Sequence, residues 1–272
     1  MNTPRYIDSH CHIHDERIPD GPDGAVAAAV EITRAAGALT LEWFCNDDLE
    51  IDHKGDGSPV TAADLAAESL MRERLVNLCP DDAVMGEEHQ DTSGTSGRTW
   101  VIDPIDGTKA FTKGVPLYSN LLALVDEHGP AIGVINLPAL GETVWAGRGR
   151  GAFFNGEPCR VSNQPSLEGA YAMTSGFGYW PPDALQAVLS SPVIFRTWGD
   201  AYGYALVATG RAEAMIDPLA NPWDVAPMAV IIPEAGGRYT TFDGDDGPDA
   251  WKTGSGVGTN GAIHDALLDV WH

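Results

Sequence analysis

Apolar positions recur every three or four residues between 25 and 46. Val26, Val30, Thr33, Gly37, Leu41 and Phe44 share one face there, which predicts an amphipathic helix. A second helix is expected to open at Thr61-Ala62-Ala63-Asp64 and run to about Leu78, with Leu65, Leu70 and Leu75 turned inward. Thr61 and Asp64 have the spacing of a capping-box variant, so Asp64 reads first as a helix cap. The turn-rich stretch 54–60 joins the two helices. From residue 83 the pattern changes to short apolar runs at 83–85, 100–102, 117–125, 131–136 and 143–146, which read as strands; Asp126-Glu127-His128-Gly129 supplies a hairpin turn. Residues 91–98, rich in Ser, Thr and Gly, read as an exposed loop.

Beyond about residue 160 helices and strands alternate. Helices are expected over 182–189, over 201–209, and from Pro222 to the Gly236-Gly237 stop; strands are expected over 193–195, 214–216 and 238–241. Pro233 is awkward in the last helix, because a proline lacks the N–H that helix continuation needs. A Gly-rich tail, 251–261, precedes a short final helix over 262–271. The expected organisation is an irregular N-terminal arm (1–24), an α+β half (25–160) and an α/β half (161–272) forming one compact unit.

Composition narrows the class. A hydrophobic content of 43% with 8 Trp is that of a folded globular chain. No apolar run is expected to reach the roughly 18 to 20 residues that span a bilayer, and the polar N-terminus is not that of a signal peptide, so a cytoplasmic location is expected. Cys11, Cys45, Cys79 and Cys159 are scattered without a CxxC pair and read as apolar fillers. The net charge of −23 argues against nucleic-acid and anionic-membrane partners. An anionic substrate would need bound cations to reverse the sign of the field locally.

The candidate chemistry centres on the stretch from Trp100 to Phe111. An apolar run breaks at Pro104, presents Asp103 and Asp106 three residues apart, and ends in Gly107-Thr108. Carboxylates at a strand end suit hard cations such as Mg²⁺, and free backbone N–H groups beyond them suit a phosphate oxygen. Glu87 follows another strand-like run, and Asp224 opens a later helix; each could be a turn or a cap alone. In α/β proteins strand ends and helix starts converge on one edge, and four carboxylates meeting there need cations or protons. Asp64 has a second reading as an outer carboxylate of the same site. A separate cluster, Asp8-Ser9-His10-Cys11-His12-Ile13-His14, has metal-ligand character and is similar to the opening His-x-His of metal-dependent amidohydrolase barrels. The later histidines lack the rest of that pattern, so the cluster is expected to belong to a lightly packed arm.

Gly86-Glu87-Glu88, Asp103-Pro104-Ile105-Asp106-Gly107-Thr108 and Trp223-Asp224-Val225-Ala226, with Glu234-Ala235-Gly236-Gly237, resemble the three signature motifs of the inositol-monophosphatase superfamily. The resemblance runs from about residue 25 to the C-terminus. It implies a layered αβαβα sandwich, a lithium-sensitive, Mg²⁺-dependent phosphomonoesterase activity on a small phosphorylated metabolite, and a homodimer. It further implies that Glu87, Asp103 and the carbonyl of Ile105 hold a first metal. Asp103, Asp106 and Asp224 would hold a second, and a third would lean on Glu87, with Mn²⁺ as an alternative to Mg²⁺. Thr108 with Glu87 would orient the attacking water, Gly107 and Thr108 N–H groups would hold phosphate oxygens, and Asp64 and Glu88 would support them. The alternative of an aspartyl nucleophile wants a partner acid two residues on, not three. A catalytically degenerate binding module would have lost one of Glu87, Asp103, Asp106, Thr108 or Asp224, and all are present.

Within the superfamily, Gly107-Thr108-Lys109-Ala110-Phe111 is closer to the histidinol-phosphate and phosphoadenosine-phosphate phosphatase branches, while Leu137-Pro138-Ala139-Leu140-Gly141 and Trp198-Gly199-Asp200-Ala201-Tyr202-Gly203 look most like the histidinol-phosphate phosphatases. A cationic, imidazole-bearing alcohol calls for carboxylates in its pocket, and Asp200 and Asp217 are the candidates. Inositol 1-phosphate and 3′-phosphoadenosine 5′-phosphate are the alternative substrates; the second would want cationic side chains such as Lys109, Lys113, Arg148 and Arg150 near its extra phosphate.

Overall fold

The computed structural model describes residues 22–46, 51–55 and 59–272. The histidine cluster of the N-terminal arm lies outside the described residues. Helix α1 (Pro22–Leu41) begins three residues before the expected start, with its proline at the first helical position, where no N–H is needed. It ends at Leu41, and residues 42–45 form turns. A short antiparallel hairpin, β1 (Ile51–His53) and β2 (Pro59–Thr61), leads into α2 (Ala62–Leu78). The expected capping box is present: the Thr61 N–H donates to Asp64 Oδ2 at 2.8 Å, and the Ala63 N–H donates to Thr61 Oγ1 at 3.2 Å. Ala63, Ala67, Met71 and Leu75 face inward, whereas Leu65 is exposed. The small alanines let α2 lie close to the sheet.

Seven strands form one sheet in sequence order: β3 (Ala83–Gly86), β4 (Thr99–Asp106), β5 (Ser119–Asp126), β6 (Gly129–Leu137), β7 (Glu142–Gly147), β8 (Gly151–Phe154) and β9 (Glu157–Cys159). Only β3 and β4 pair in parallel; the other pairs are antiparallel. Alternation along β4 separates two cores, as a pleated strand requires. Trp100 and Ile102 pack beneath α1 and α2 with Leu122, Leu124, Ile132 and Val134. Val101 points the other way, into a core shared with Leu121, Ile135 and the second half of the chain.

That half contributes β10 (Tyr171–Met173), α4 (Pro182–Ser190), β11 (Ile194–Arg196), α5 (Asp200–Ala208), β12 (Ala214–Asp217), α6 (Pro222–Val225), α7 (Met228–Glu234), β13 (Arg238–Thr240), β14 (Gly256–Thr259) and α8 (His264–Leu268). Its strands form a five-stranded sheet in the order β11-β10-β12-β14-β13. Residues of α5, α6 and α7 fill the space between the two sheets. Trp180, Val188 of α4 and Leu267 of α8 cover the outer face with Ala214, Ile216 and Val257. The molecule is therefore a layered αβαβα sandwich, as the motifs imply.

Several elements depart from expectation. The helix expected from Pro222 to the glycine stop is split into α6 and α7, because Pro227 has no N–H to carry the ladder across. Pro233 is accommodated in the last turn of α7. The glycine-rich 256–259 is an inner strand: a Cβ at Gly256 would lie 2.7 Å from Tyr204 Oη, and one at Gly258 3.0 Å from Tyr204 Cδ1, so only glycine lets α5 lie against it. The hairpin β1–β2 and strands β8, β9 and β10 also lacked a recognisable alternation. The expectation that no segment reaches membrane-spanning length is corrected: residues 23–41 of α1 do so by length and mean hydropathy. Here α1 buries Ala25, Val26, Ala29, Ile32 and Ala36 against the sheet and α2, which accounts for its apolar character.

Candidate active site

The first step in building the site is a break in β4. Its register against β5 shifts between Asp103 and Asp106, leaving Pro104 and Ile105 out of step. A proline is tolerated at such a bulge, since its missing N–H interrupts no ladder bond there. The sequence pattern ended the strand at Pro104; the structure carries it through to Asp106. The Pro104 carbonyl accepts from Asn120 Nδ2 at 2.6 Å, which ties the bulge to β5. Gly107 then takes φ 80°, a left-handed conformation that turns the chain into the single-turn helix α3 (Thr108–Phe111).

From the second half, α6 brings Asp224 to the same place. Its Oδ2 accepts the Asn221 N–H at 2.7 Å, so the helix-cap reading of Asp224 and its place in the site both hold. One carboxylate oxygen from each of Asp103, Asp106 and Asp224 lies within 4.8 Å of the others. Asp106 Oδ2 accepts from Ser119 Oγ at 3.0 Å and from the Ala201 N–H at 2.7 Å, which fixes its plane. Asp103 is 1% exposed, and its Oδ1 is buried with no hydrogen-bond partner among the described residues. A buried carboxylate with an orphaned oxygen, grouped with two other acids, is costly unless a cation completes it. The all-oxygen donor set and that orphaned atom fit a hard divalent ion.

Proton affinities tell the same story. Burial first, then the charges of Glu87, Asp106 and Asp224, hold the Asp103 carboxyl well above its ordinary range. Burial and the charges of Asp200 and Asp224 do the same to Asp106. Burial raises Asp224 to about 7, the Asn221 N–H opposes the shift, and the Glu87 charge adds to it.

Glu87 and Glu88 stand just after β3, beside this trio. Lys54 Nζ lies 2.5 Å from Glu87 Oε1 and 2.7 Å from Glu88 Oε1. Burial works against the ammonium, but the two carboxylates outweigh it and raise the Lys54 pKa. Thr108 Oγ1 donates to the Ile105 carbonyl at 3.0 Å and lies 3.5 Å from Asp64 Oδ1. Asp64, fully buried, is pushed up to about 6 by burial, against the lowering pull of its Thr61 hydrogen bonds. The structure thus gathers Asp64, Glu87, Glu88, Asp103, Ile105, Asp106, Gly107, Thr108 and Asp224 around one locus.

A cavity of about 540 Å³ opens from this locus toward the second half. Glu87, Asp106 and Asp224 line it together with Ser175, Tyr179, Asp200 and Asp217. Ser175 Oγ donates to Asp217 Oδ1 at 2.7 Å and accepts the Asp200 N–H at 2.9 Å, tying the two acids together. Asp200 holds a left-handed φ of 53° at the start of α5, a conformation an aspartate tolerates at some cost. Burial raises Asp217 to about 7, with Ser175 opposing and Asp200 adding.

The cationic candidates mostly lie elsewhere. Arg148 pairs with Asp126 at 3.0 Å, and Arg150 pairs with Asp23. Of the four, Lys109 reaches the rim, where Nζ donates to Tyr179 Oη at 2.9 Å. Lys54, Ser175 and Tyr179 had no local signal in the sequence, because Lys54 arrives from the β1–β2 connection and Ser175 and Tyr179 from the distant β10–α4 connection.

The chain belongs to the inositol monophosphatase family, which it matches over residues 23–271. It is 42% identical to a histidinol-phosphatase of Chlorobaculum parvum over 80% of this chain and 88% of that protein. It is 39% identical to a histidinol-phosphatase of Mycobacterium tuberculosis over 88% of this chain and 95% of that one. An IMPase from Thermotoga maritima superposes with a TM-score of 0.81 at 33% identity, covering 90% of this chain and 96% of the other. The chain is a phosphoric monoester hydrolase of this family, and histidinol-phosphatases stand among its similar relatives.

Proposed function

We propose that this enzyme hydrolyses histidinol phosphate to histidinol and phosphate, using Mg²⁺ held by Glu87, Asp103, Asp106, Asp224 and the carbonyl of Ile105. The observation that carries the metal reading is the orphaned Asp103 Oδ1 within a trio of converging carboxylates. Divalent cations, when bound there, supply Lewis acidity at the phosphoryl oxygens and lower the pKa of water. Thr108, held near Asp64, and Glu87 orient the attacking water. The Gly107 and Thr108 N–H groups receive phosphate oxygens at the turn.

Asp200 and Asp217 support the substrate reading. They line the same cavity as Glu87, Asp106 and Asp224, and two carboxylates there suit an ammonium and an imidazolium. The pairing of Arg148 and Arg150 with acids outside the cavity argues against a second phosphate. A homodimer follows from the same resemblance, and sedimentation velocity checks it.

Phosphate release measured with Mg²⁺ on histidinol phosphate, inositol 1-phosphate and 3′-phosphoadenosine 5′-phosphate tests the substrate. The expected result is the highest kcat/KM for histidinol phosphate. Equal or better turnover of inositol 1-phosphate removes the substrate assignment while leaving the family intact.

A further inference from the structure

Helix α2 carries a fully buried carboxylate, Glu68, one turn after Asp64. Its Oε2 accepts the Glu88 N–H at 2.7 Å, and its Oε1 accepts the His89 N–H at 3.2 Å. Arg72, one further turn along, donates from Nε to Glu68 Oε1 at 2.7 Å and from Nη2 to the His89 carbonyl at 3.2 Å. Three hydrogen bonds from one helix face therefore seat the turn that presents Glu87 and Glu88, and the Arg72–Glu68 pair within the helix braces them. The seat is tight: a Cβ at Gly86 would stand 2.1 Å from Glu68 Oε1 and 2.8 Å from Arg72 Nη2.

A buried ion pair adds little stability over apolar residues of the same volume, so its use here lies in what it orients. Only an ionised carboxylate has two acceptor oxygens for two adjacent backbone N–H groups and a guanidinium at once. We propose that Glu68, braced by Arg72, is a positioning residue. It fixes the 86–89 turn so that the Glu87 carboxylate faces Asp103, and thereby sets the affinity for the divalent cation held through Glu87. This rests on the metal-dependent reading above.

The test is a calorimetric titration of the metal-free, full-length protein with Mg²⁺ alone and Mn²⁺ alone, alongside its metal-free Tm. In Glu68→Gln the amide NH₂ must face a backbone N–H or Arg72, so the turn shifts. Affinity is expected to fall at least tenfold, and activity lost at low Mg²⁺ should return with excess Mg²⁺. Gly86→Ala presses on the same carboxylate from the turn side; it should show the same loss, and it carries the test should E68Q not fold. Leu75→Ala, buried on the same helix within the apolar core, should lower Tm yet leave affinity within twofold. Affinity within twofold of wild type in E68Q or G86A overturns the proposal, as does an equal loss in L75A. Absence of metal binding by the wild-type protein overturns the proposal and the metal-dependent reading together.

Discussion

At the scale of single residues, Asp103 is where stability and chemistry oppose each other. Its Oδ1 is buried without a hydrogen-bond partner among the described residues, and its carboxyl converges with two other acids, so the metal-free protein pays for a geometry useful only when loaded. Asp103→Asn should abolish phosphate release, by roughly a thousandfold or more, because a neutral amide is a poor ligand for a hard cation. The same variant should melt above the wild type in chelator, and Mg²⁺ should no longer raise its Tm; a metal-free Tm well below wild type would contradict this account. On the proposed function, Asp200 faces the substrate. Removing one charge-assisted contact costs about 1.5–3 kcal/mol, so Asp200→Asn should lower kcat/KM for histidinol phosphate by about 10- to 150-fold. Its effect on inositol 1-phosphate should be smaller, and steady-state kinetics on both esters separates the two.

At the scale of elements, the site depends on how a few ends are finished. The Thr61–Asp64 box opens α2 and also holds Asp64 beside Thr108. Thr61→Ala should cost about 1 kcal/mol in urea denaturation, the usual loss for an N-cap. It should also disturb catalysis, since Asp64 loses the hydroxyl that fixes it; a purely thermal effect would leave Asp64 a cap and nothing more. This box was legible in the sequence because both partners lie within one turn. The bulge in β4 was not. Pro104 signalled an end to the strand, and only pairing with β5 shows that the strand resumes at Asp106. The inner strand β14 was hidden for a similar reason: its glycines answer to Tyr204 of α5, about fifty positions away, not to an alternation of their own.

At the scale of the whole molecule, buried acids and excess negative charge link stability to protons and cations. Asp64 and Asp217 rise from 3.8 to about 6 and about 7 in the folded chain. Between pH 4 and 7 the native state therefore holds more protons than the unfolded state, and metal-free stability falls as pH rises through that window. Cations compete with protons for the converging acids, so the gain in Tm from Mg²⁺ should grow from pH 5.5 to 8. Scanning fluorimetry in chelator and in Mg²⁺ measures both slopes, and a gain independent of pH would count against the linkage. A net charge of −23 adds self-repulsion, which salt screens; metal-free Tm should accordingly rise with ionic strength.

The sequence by itself determined what depends on neighbours along the chain. Helical periods, the α2 cap, the hairpin at Gly129 and the order of the three acidic motifs are all local patterns, and the resemblance they carried led to the αβαβα fold. Tertiary structure alone decided the rest. It set why β14 must be glycine-rich and how Lys54 and Ser175 reach the acids from separate loops. It also revealed that Glu68, to all appearance another helix carboxylate, is the seat of the turn bearing Glu87. These depend on contacts between segments far apart in the chain, and no local pattern of apolar and polar positions encodes which distant segment an atom will meet.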